Sequence, residues 1–262
     1  MTTLRGLVLA SHPLPTAAVT AFAAVLGVVA GASAGTTVLL ATAVLSGQLG
    51  IGWLNDLHDA GIDVAAARTD KPVVRGEVDV AALRTAVALS VPVCLLLSFA
   101  LGPLPGVLHV LLVGSAWAYD LALKPTPASP LPYLVSFGLL PAIAATAAGT
   151  EISTVLVVAA ALLGLAGHFA NTLTDVEADT LTQVRGLPQL IGTAWSQLAA
   201  GACIVSACAV VLLGWRPTAT ATALVLVAAA VGAVGALGPR RLAFRLVLVS
   251  TAVALAGIVA AG

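Results

Sequence analysis

Long apolar runs alternate with short polar interruptions along the whole chain. A helix that crosses a membrane needs about 20 mostly apolar residues. Nine windows meet that requirement, namely residues 15–33, 36–55, 80–101, 104–122, 131–148, 153–174, 189–213, 217–237 and 241–261. The two longest interruptions, 56–79 and 175–188, are rich in carboxylates and arginines. The pattern predicts an all-α, polytopic transmembrane bundle of about nine helices.

Composition supports a membrane environment. Of the 262 residues, 60% are hydrophobic and 8% are charged, whereas a soluble domain carries about 25% charged residues. We therefore expect lipid around most of the chain, and a single transmembrane domain over residues 1–262. The formal net charge is zero and says nothing about partners. We expect no nucleic-acid partner, and the sequence implies no protein partner.

The distribution of basic residues predicts the orientation. With a cytoplasmic N-terminus, ten of the eleven Lys and Arg residues fall on the cytoplasmic side, and Arg216 is the exception. This bias predicts a multi-pass protein of the cell membrane with both long polar interruptions in the cytoplasm. The carboxylates gather on the same side, apart from Glu151. Because carboxylates follow no insertion rule, their gathering indicates a polar, functional chamber at that face.

Two copies of the pattern N-x3-D-x3-D carry the candidate chemistry. The first is NDLHDAGID at 55–63, and the second is NTLTDVEAD at 171–179. Residues four apart share one face of a helix, so each copy forms a stripe of oxygen donors. Like charges at this spacing repel, and Mg²⁺ is a hard cation that binds carboxylates and substrate phosphates together. Two facing stripes are suited to hold a pair of Mg²⁺ ions and a diphosphate.

Basic residues follow each copy. Arg68, Lys71 and Arg75 come after the first, and Arg185 comes after the second. Their side chains suit diphosphate oxygens, Arg as a planar fork and Lys as a point charge. Gly76 and Gly186, which follow Arg75 and Arg185, allow tight turns.

The segments at 55–76 and 171–192 resemble the two signatures of the UbiA-type intramembrane prenyltransferases. The stretch Tyr119-Asp120-x3-Lys124 resembles the segment after that family's fourth helix. Nine helices and cytoplasmic motif loops also fit the family, so the resemblance covers nearly the whole chain. It implies a helical bundle around a central cavity, two Mg²⁺ ions and ionisation of a prenyl diphosphate. The prenyl group would then be transferred to an acceptor, such as an aromatic ring or another lipid or quinone precursor.

The resemblance also implies roles for individual residues. Metal ligands would be Asn55, Asp59 and Asp63 for one ion, with Asn171, Asp175 and Asp179 on the second motif. Asp59, Asp175, Arg68 and Lys71 would be catalytic. Substrate would be bound by Arg68, Lys71, Arg75, Lys124 and Arg185, and by Tyr119, Asp56 and His168. Asp56 lies about 100° from the first stripe, which favours a supporting or acceptor-side role.

Two other functions remain open at this stage. A UbiA-related terpene cyclase would use the same metals, although an aromatic content of 4% argues against a rich cation-stabilising surface. A non-catalytic lipid carrier or transporter is the second alternative. Transporters favour broken helices near the midplane, whereas these acidic motifs lie at helix ends. Lys71-Pro72 and Asn171 depart from the Arg-Pro and Asp of many family members, which leaves the acceptor class open.

Overall fold

The protein is described by a computed structural model that covers residues 2–174, 185–215 and 217–259. Within these ranges it is all-helical and has no β-strand. The α-helices are α1 Thr2–Ala10, α2 Pro13–Val29, α3 Ala34–Ala65, α4 Val80–Ala100, α5 Pro103–Ala118, α6 Leu131–Ala148, α7 Thr154–Thr174, α8 Leu187–Ile191, α9 Thr193–Gly214, α10 Ala219–Leu237 and α11 Arg240–Val259. A five-residue π-helical turn, Tyr119–Leu123, continues α5.

The helices confirm a polytopic membrane architecture. In the described part of the chain, seven helices are long and apolar enough to cross a membrane. An eighth span results if α1 and α2, which meet at a bend of 59°, cross together. Each of the nine predicted windows overlaps a long helix, whereas the described residues contain seven or eight spans. The predicted number of nine spans is therefore approximate.

Large apolar side chains cover the outside of the bundle. Leu96, Leu213 and Leu237 are 74%, 88% and 82% exposed, respectively. Contiguous exposed apolar surface on this scale marks contact with a membrane or a partner. Together with the spanning lengths of the helices, it identifies an integral, multi-pass membrane protein.

Most helices that follow each other in the chain pack against each other, and α11 returns to contact α7 and α2. One buried cluster joins α2, α3, α5, α6 and α7 through side chains such as Phe22, Leu40 and Ile143. Another joins α7, α9, α10 and α11 and includes Leu163, Ile204 and Val225. Since α7 contributes to both clusters, it connects the two halves of the bundle.

Helix α3 carries the first motif beyond the apolar part of the bundle. Its N-terminus is capped by Ser33, whose hydroxyl accepts a hydrogen bond from the Thr36 amide. The helix has 32 residues and is about 48 Å long, which exceeds the roughly 30 Å of a hydrocarbon core. The predicted window ended at residue 55, but the helix continues to Ala65. Residues 55–63 therefore lie on a regular helix.

The end of α3 folds the chain back toward the motif. The Arg68 amide donates to the Asp63 carbonyl at 3.0 Å, and the Ala67 amide donates to the Val64 carbonyl at 3.1 Å. This pair of bonds is a Schellman motif, which needs a left-handed residue between them. Ala67 takes that conformation with φ of 49°. The following basic residues are thereby directed back toward the carboxylates of α3.

Candidate active site

Each carboxylate of the first motif lies close to a cation from another segment. Asp56 Oδ1 is 2.6 Å from Lys71 Nζ, and Asp59 Oδ2 is 2.6 Å from Lys124 Nζ. Asp63 is 3.8 Å from the Arg68 guanidinium and 3.9 Å from Lys71 Nζ. The structure thus brings six of the residues proposed from the sequence, Asp56, Asp59, Asp63, Arg68, Lys71 and Lys124, into one cluster at the end of α3.

Asp56 and Lys71 form the most deeply buried pair of this cluster. They are 1% and 7% exposed, respectively. His12, which the sequence analysis did not single out, places Nε2 3.1 Å from Asp56 Oδ1. It stands at the bend between α1 and α2 in a left-handed conformation with φ of 52°. No local sequence pattern predicts this contact, because it joins residues 44 positions apart.

Lys124 reaches Asp59 from the connection between α5 and α6. The π-helical turn at 119–123 ends α5 just before Lys124, and π-helical turns are frequent at functional sites. Within the turn, Asp120 accepts a hydrogen bond from Asn55 Nδ2 at 3.0 Å. Two members of the first motif are therefore held by this turn and the residue that follows it.

The second motif is described only at its beginning. Asn171 lies in the last turn of α7. Asp175 and Asp179 lie outside the described residues, so their proposed roles as metal ligands, and that of Asp175 in catalysis, stay predictions. Arg185 is described and its side chain is exposed.

Ser129 connects the region of the second motif to that of the first. Its Oγ is 3.2 Å from His168 Nε2 and accepts a hydrogen bond from the Leu187 amide at 3.1 Å. It belongs to the same connection as Lys124, which pairs with Asp59. The residues that precede and follow the second motif thus lie at the same end of the bundle as the first.

The two glycines that follow basic residues serve different purposes. Gly76 has φ of +68°, a left-handed conformation that fits the predicted turn. Gly186 has φ of −67°, which any residue adopts, so the backbone there does not need the conformational freedom of glycine. A Cβ at Gly186 would lie 2.7 Å from the Lys124 carbonyl oxygen. Glycine is needed at this position because two backbones approach closely.

The two arginines that follow the first motif stabilise the loop after α3. Arg75 donates to Glu77 at 3.0 Å and to the carbonyls of Thr69 and Asp70. Arg68 makes a 2.7 Å ion pair with Asp70, and this hydrogen-bonded pairing lowers the pKa of the Asp70 carboxyl. Arg68 therefore contacts both the loop and Asp63, whereas the described contacts of Arg75 are within the loop.

Aromatic side chains gather beside these charges. The His168 ring is 4.9 Å from the ring of Tyr133 and 5.8 Å from that of Tyr119, and Tyr133 stacks on Phe137 at 6.4 Å. His168 is 1% exposed, and its Nδ1 has no hydrogen-bond partner. Tyr133 and Phe137 were missed from the sequence, although their spacing of four residues places them on one face of α6.

The donor chemistry of α3 fits a hard divalent cation. Asn55, Asp59 and Asp63 offer amide and carboxylate oxygens, the ligands that Mg²⁺ prefers, and Asp63 Oδ2 is buried without a hydrogen bond. Among the described residues no group of three His, Cys, Asp or Glu side chains is arranged to hold a metal ion. The first motif thus fits part of a site whose remaining proposed carboxylates, Asp175 and Asp179, lie outside those residues.

Solved structures share this fold. An apo UbiA homologue from Aeropyrum pernix K1 is 22% identical with a TM-score of 0.77, over 93% of this chain and 96% of that chain. A UbiA homologue from Archaeoglobus fulgidus, solved with GPP and Mg²⁺, is 15% identical with a TM-score of 0.75, over 98% and 100% of the respective chains. A digeranylgeranylglyceryl phosphate synthase is 14% identical with a TM-score of 0.72, over 100% and 99%.

Sequence comparison gives the family. Among curated proteins, none matches the chain significantly. The model of the UbiA prenyltransferase family, by contrast, matches residues 1–243. Since that match takes in all the helices that hold the candidate site, the chain belongs to the UbiA prenyltransferase family.

Proposed function

We propose that this membrane prenyltransferase catalyses Mg²⁺-dependent transfer of a prenyl group from a prenyl diphosphate to an acceptor in the bilayer. The observation that carries the proposal is the cluster at the end of α3. Three carboxylates there are interleaved with three cations from two separate segments. The acceptor we propose is an aromatic ring or another lipid or quinone precursor.

Stability alone is a poor explanation for this cluster. Taking ion pairs out of water costs about as much free energy as their attraction returns, and apolar replacements are often as stable. Ionisable groups within spanning helices mark functional sites by default. A diphosphate that carries Mg²⁺ supplies both signs of charge. It suits a site in which carboxylates take the metal and the neighbouring cations take the phosphate oxygens.

Each residue then has a proposed role. Asn55, Asp59 and Asp63 hold one Mg²⁺, and Asp175 and Asp179 with Asn171 hold a second. Lys71, Lys124, Arg68 and Arg185 bind the diphosphate oxygens, with Arg75 bracing the loop that carries Lys71. Bound Mg²⁺ would neutralise the negative charge that develops on the leaving group.

The reaction breaks the bond between the first prenyl carbon and the diphosphate oxygen, and the electron pair leaves with the diphosphate. The allylic cation then forms a bond to the acceptor, which loses a proton. The cluster of Tyr119, Tyr133 and His168 places aromatic faces beside the charged groups, where cation–π attraction stabilises such a carbocation.

This aromatic cluster also favours a second candidate, a terpene cyclase that quenches the cation within the same prenyl chain. Purified protein incubated with Mg²⁺ and geranylgeranyl diphosphate, with and without a membrane lipid extract, separates the two. A transferase releases diphosphate and forms a prenylated product only with the extract. A cyclase forms a cyclic hydrocarbon without it. Release of diphosphate to water alone under both conditions would contradict both.

A further inference from the structure

We infer that Asp120 is a positioning residue that fixes the amide of Asn55 so that its carbonyl oxygen is presented to a divalent cation. This inference rests on the proposed function, in which Asn55 is a metal ligand. The family resemblance covers Tyr119 and Lys124 on either side but assigned no role to Asp120.

The fold brings Asp120 to α3 by an irregular element. It is the second residue of the π-helical turn at 119–123, and this turn packs against α3. Asp120 is 5% exposed, and its Oδ1 accepts a hydrogen bond from Asn55 Nδ2 at 3.0 Å. Asn55 and Asp120 are 65 positions apart, so the contact depends on the tertiary fold.

The chemistry of the two side chains fixes their orientation. An asparagine amide has one oxygen and one NH₂ group, and only the oxygen can bind a cation. In the structure, Asp120 Oδ1 is the acceptor of the hydrogen bond that Asn55 Nδ2 donates. Asp120 therefore pairs with the NH₂ group and leaves Asn55 Oδ1 available to a metal. Partners of this kind orient metal ligands in many proteins.

A second observation points to function rather than to packing. Asp120 Oδ2 is buried and has no hydrogen-bond partner. A buried carboxylate with an unsatisfied oxygen is destabilising, and leucine would fill the position at lower cost. Lys124 attracts Asp120 electrostatically, but its Nζ lies 2.6 Å from Asp59. Orientation of Asn55 gives a reason for retaining a carboxyl group at this position.

The inference is tested by measuring the affinity of the detergent-purified protein for Mn²⁺ by electron paramagnetic resonance. Mn²⁺ replaces Mg²⁺ because carboxylate and amide oxygens bind both ions. Asp120→Leu should weaken binding about 10- to 100-fold, the usual effect of losing a partner that orients a ligand. Asp120→Asn should weaken it less, because the introduced amide oxygen still accepts from Asn55. This isosteric variant also covers the case in which Asp120→Leu fails to fold.

Two controls separate positioning from general stability. Ser98→Ala removes a buried contact with His109 of 2.6 Å, distant from the motif in sequence, and should lower the melting temperature without changing Mn²⁺ affinity. The double variant Asn55→Asp, Asp120→Asn exchanges the two groups. It should bind Mn²⁺ more tightly than either single variant, since the amide at 120 donates to one carboxylate oxygen and leaves the other for the metal.

Unchanged Mn²⁺ affinity in Asp120→Leu and Asp120→Asn would overturn the inference and leave the proposed function intact. A double variant no better than both single variants would also overturn it. Failure of the unmodified protein to bind Mn²⁺ would instead refute the metal dependence of the proposed function, and the inference with it.

Discussion

At the scale of single residues, Lys71 and Lys124 differ in how deeply their ion pairs are buried, although the sequence suggests the same role for both. The side chains of Lys71 and Asp56 are 9% and 1% exposed, whereas those of Lys124 and Asp59 are 23% and 15% exposed. Removal of one partner from a buried ion pair costs about 3–5 kcal/mol. Lys71→Ala should therefore lower the melting temperature of the metal-free protein more than Lys124→Ala does.

Thermal unfolding in detergent measures this difference. The double variant Asp56→Asn, Lys71→Met removes both charges and should recover much of the stability lost in Lys71→Ala. Equal melting temperatures for Lys71→Ala and Lys124→Ala would show that burial does not distinguish the two pairs.

The sequence predicted the stripe of Asn55, Asp59 and Asp63, because helical periodicity is a local property. It did not predict which cation pairs with which carboxylate. Lys124 and Asp59 are 65 positions apart, and such pairings depend on how helices pack. His12 was missed for the same reason, since a lone histidine before a proline carries no local sign of its contact with Asp56.

At the scale of elements, the end of α3 stores backbone strain at Ala67, whose φ is 49°. A left-handed conformation costs an L-residue roughly 1–2 kcal/mol, and glycine avoids this cost. Ala67→Gly should therefore stabilise the protein by about 1 kcal/mol, because the gain is partly offset by the entropy of the unfolded chain. A raised melting temperature with unchanged turnover is the expected result. A lowered melting temperature would contradict the Schellman geometry.

The approach of residues 185–187 to the connection between α5 and α6 gives a second prediction. A Cβ at Gly186 would lie 2.7 Å from the Lys124 carbonyl and 2.9 Å from Ser129 Oγ. Overpacking of this kind costs about 1–3 kcal/mol, so Gly186→Ala should lower the melting temperature and weaken turnover. Gly114→Ala is the matched control, since no atom outside its own turn of helix lies within 4 Å of its Cβ position. Equal stability of the two variants would argue against the close approach.

The sequence predicted the presence of the helices better than it predicted where each helix begins and ends. The window at 153–174 matches α7 closely, whereas the window at 189–213 runs across the break between α8 and α9. That break occurs at Gly192, whose φ is 84°. Hydropathy does not depend on the direction of the backbone. A single apolar window can therefore contain a short helix and a sharp turn as well as a spanning helix.

At the scale of the whole molecule, the proposal requires both motifs to face one compartment. Single cysteines at Thr69 and Thr182 should be labelled from the cytoplasm, and those at Thr150 and Ala219 from the opposite side. The prediction rests on the positive-inside bias and on the contacts of Ser129 that join the two motif regions. The background must lack the native cysteines Cys94, Cys203 and Cys208. Labelling of Thr69 and Thr182 from opposite sides would exclude a shared diphosphate site.

The central claim is that the carboxylates of α3 bind a prenyl diphosphate through Mg²⁺. Equilibrium binding of an unreactive geranylgeranyl thiodiphosphate to the purified protein, with Mg²⁺ or with excess chelator, tests it most directly. We expect binding to require Mg²⁺. In Asp59→Asn we expect it to weaken by on the order of a hundredfold, because a contact between the metal and a ligand contributes several kcal/mol of stabilisation. Equally tight binding in chelator, or in Asp59→Asn, would contradict the account.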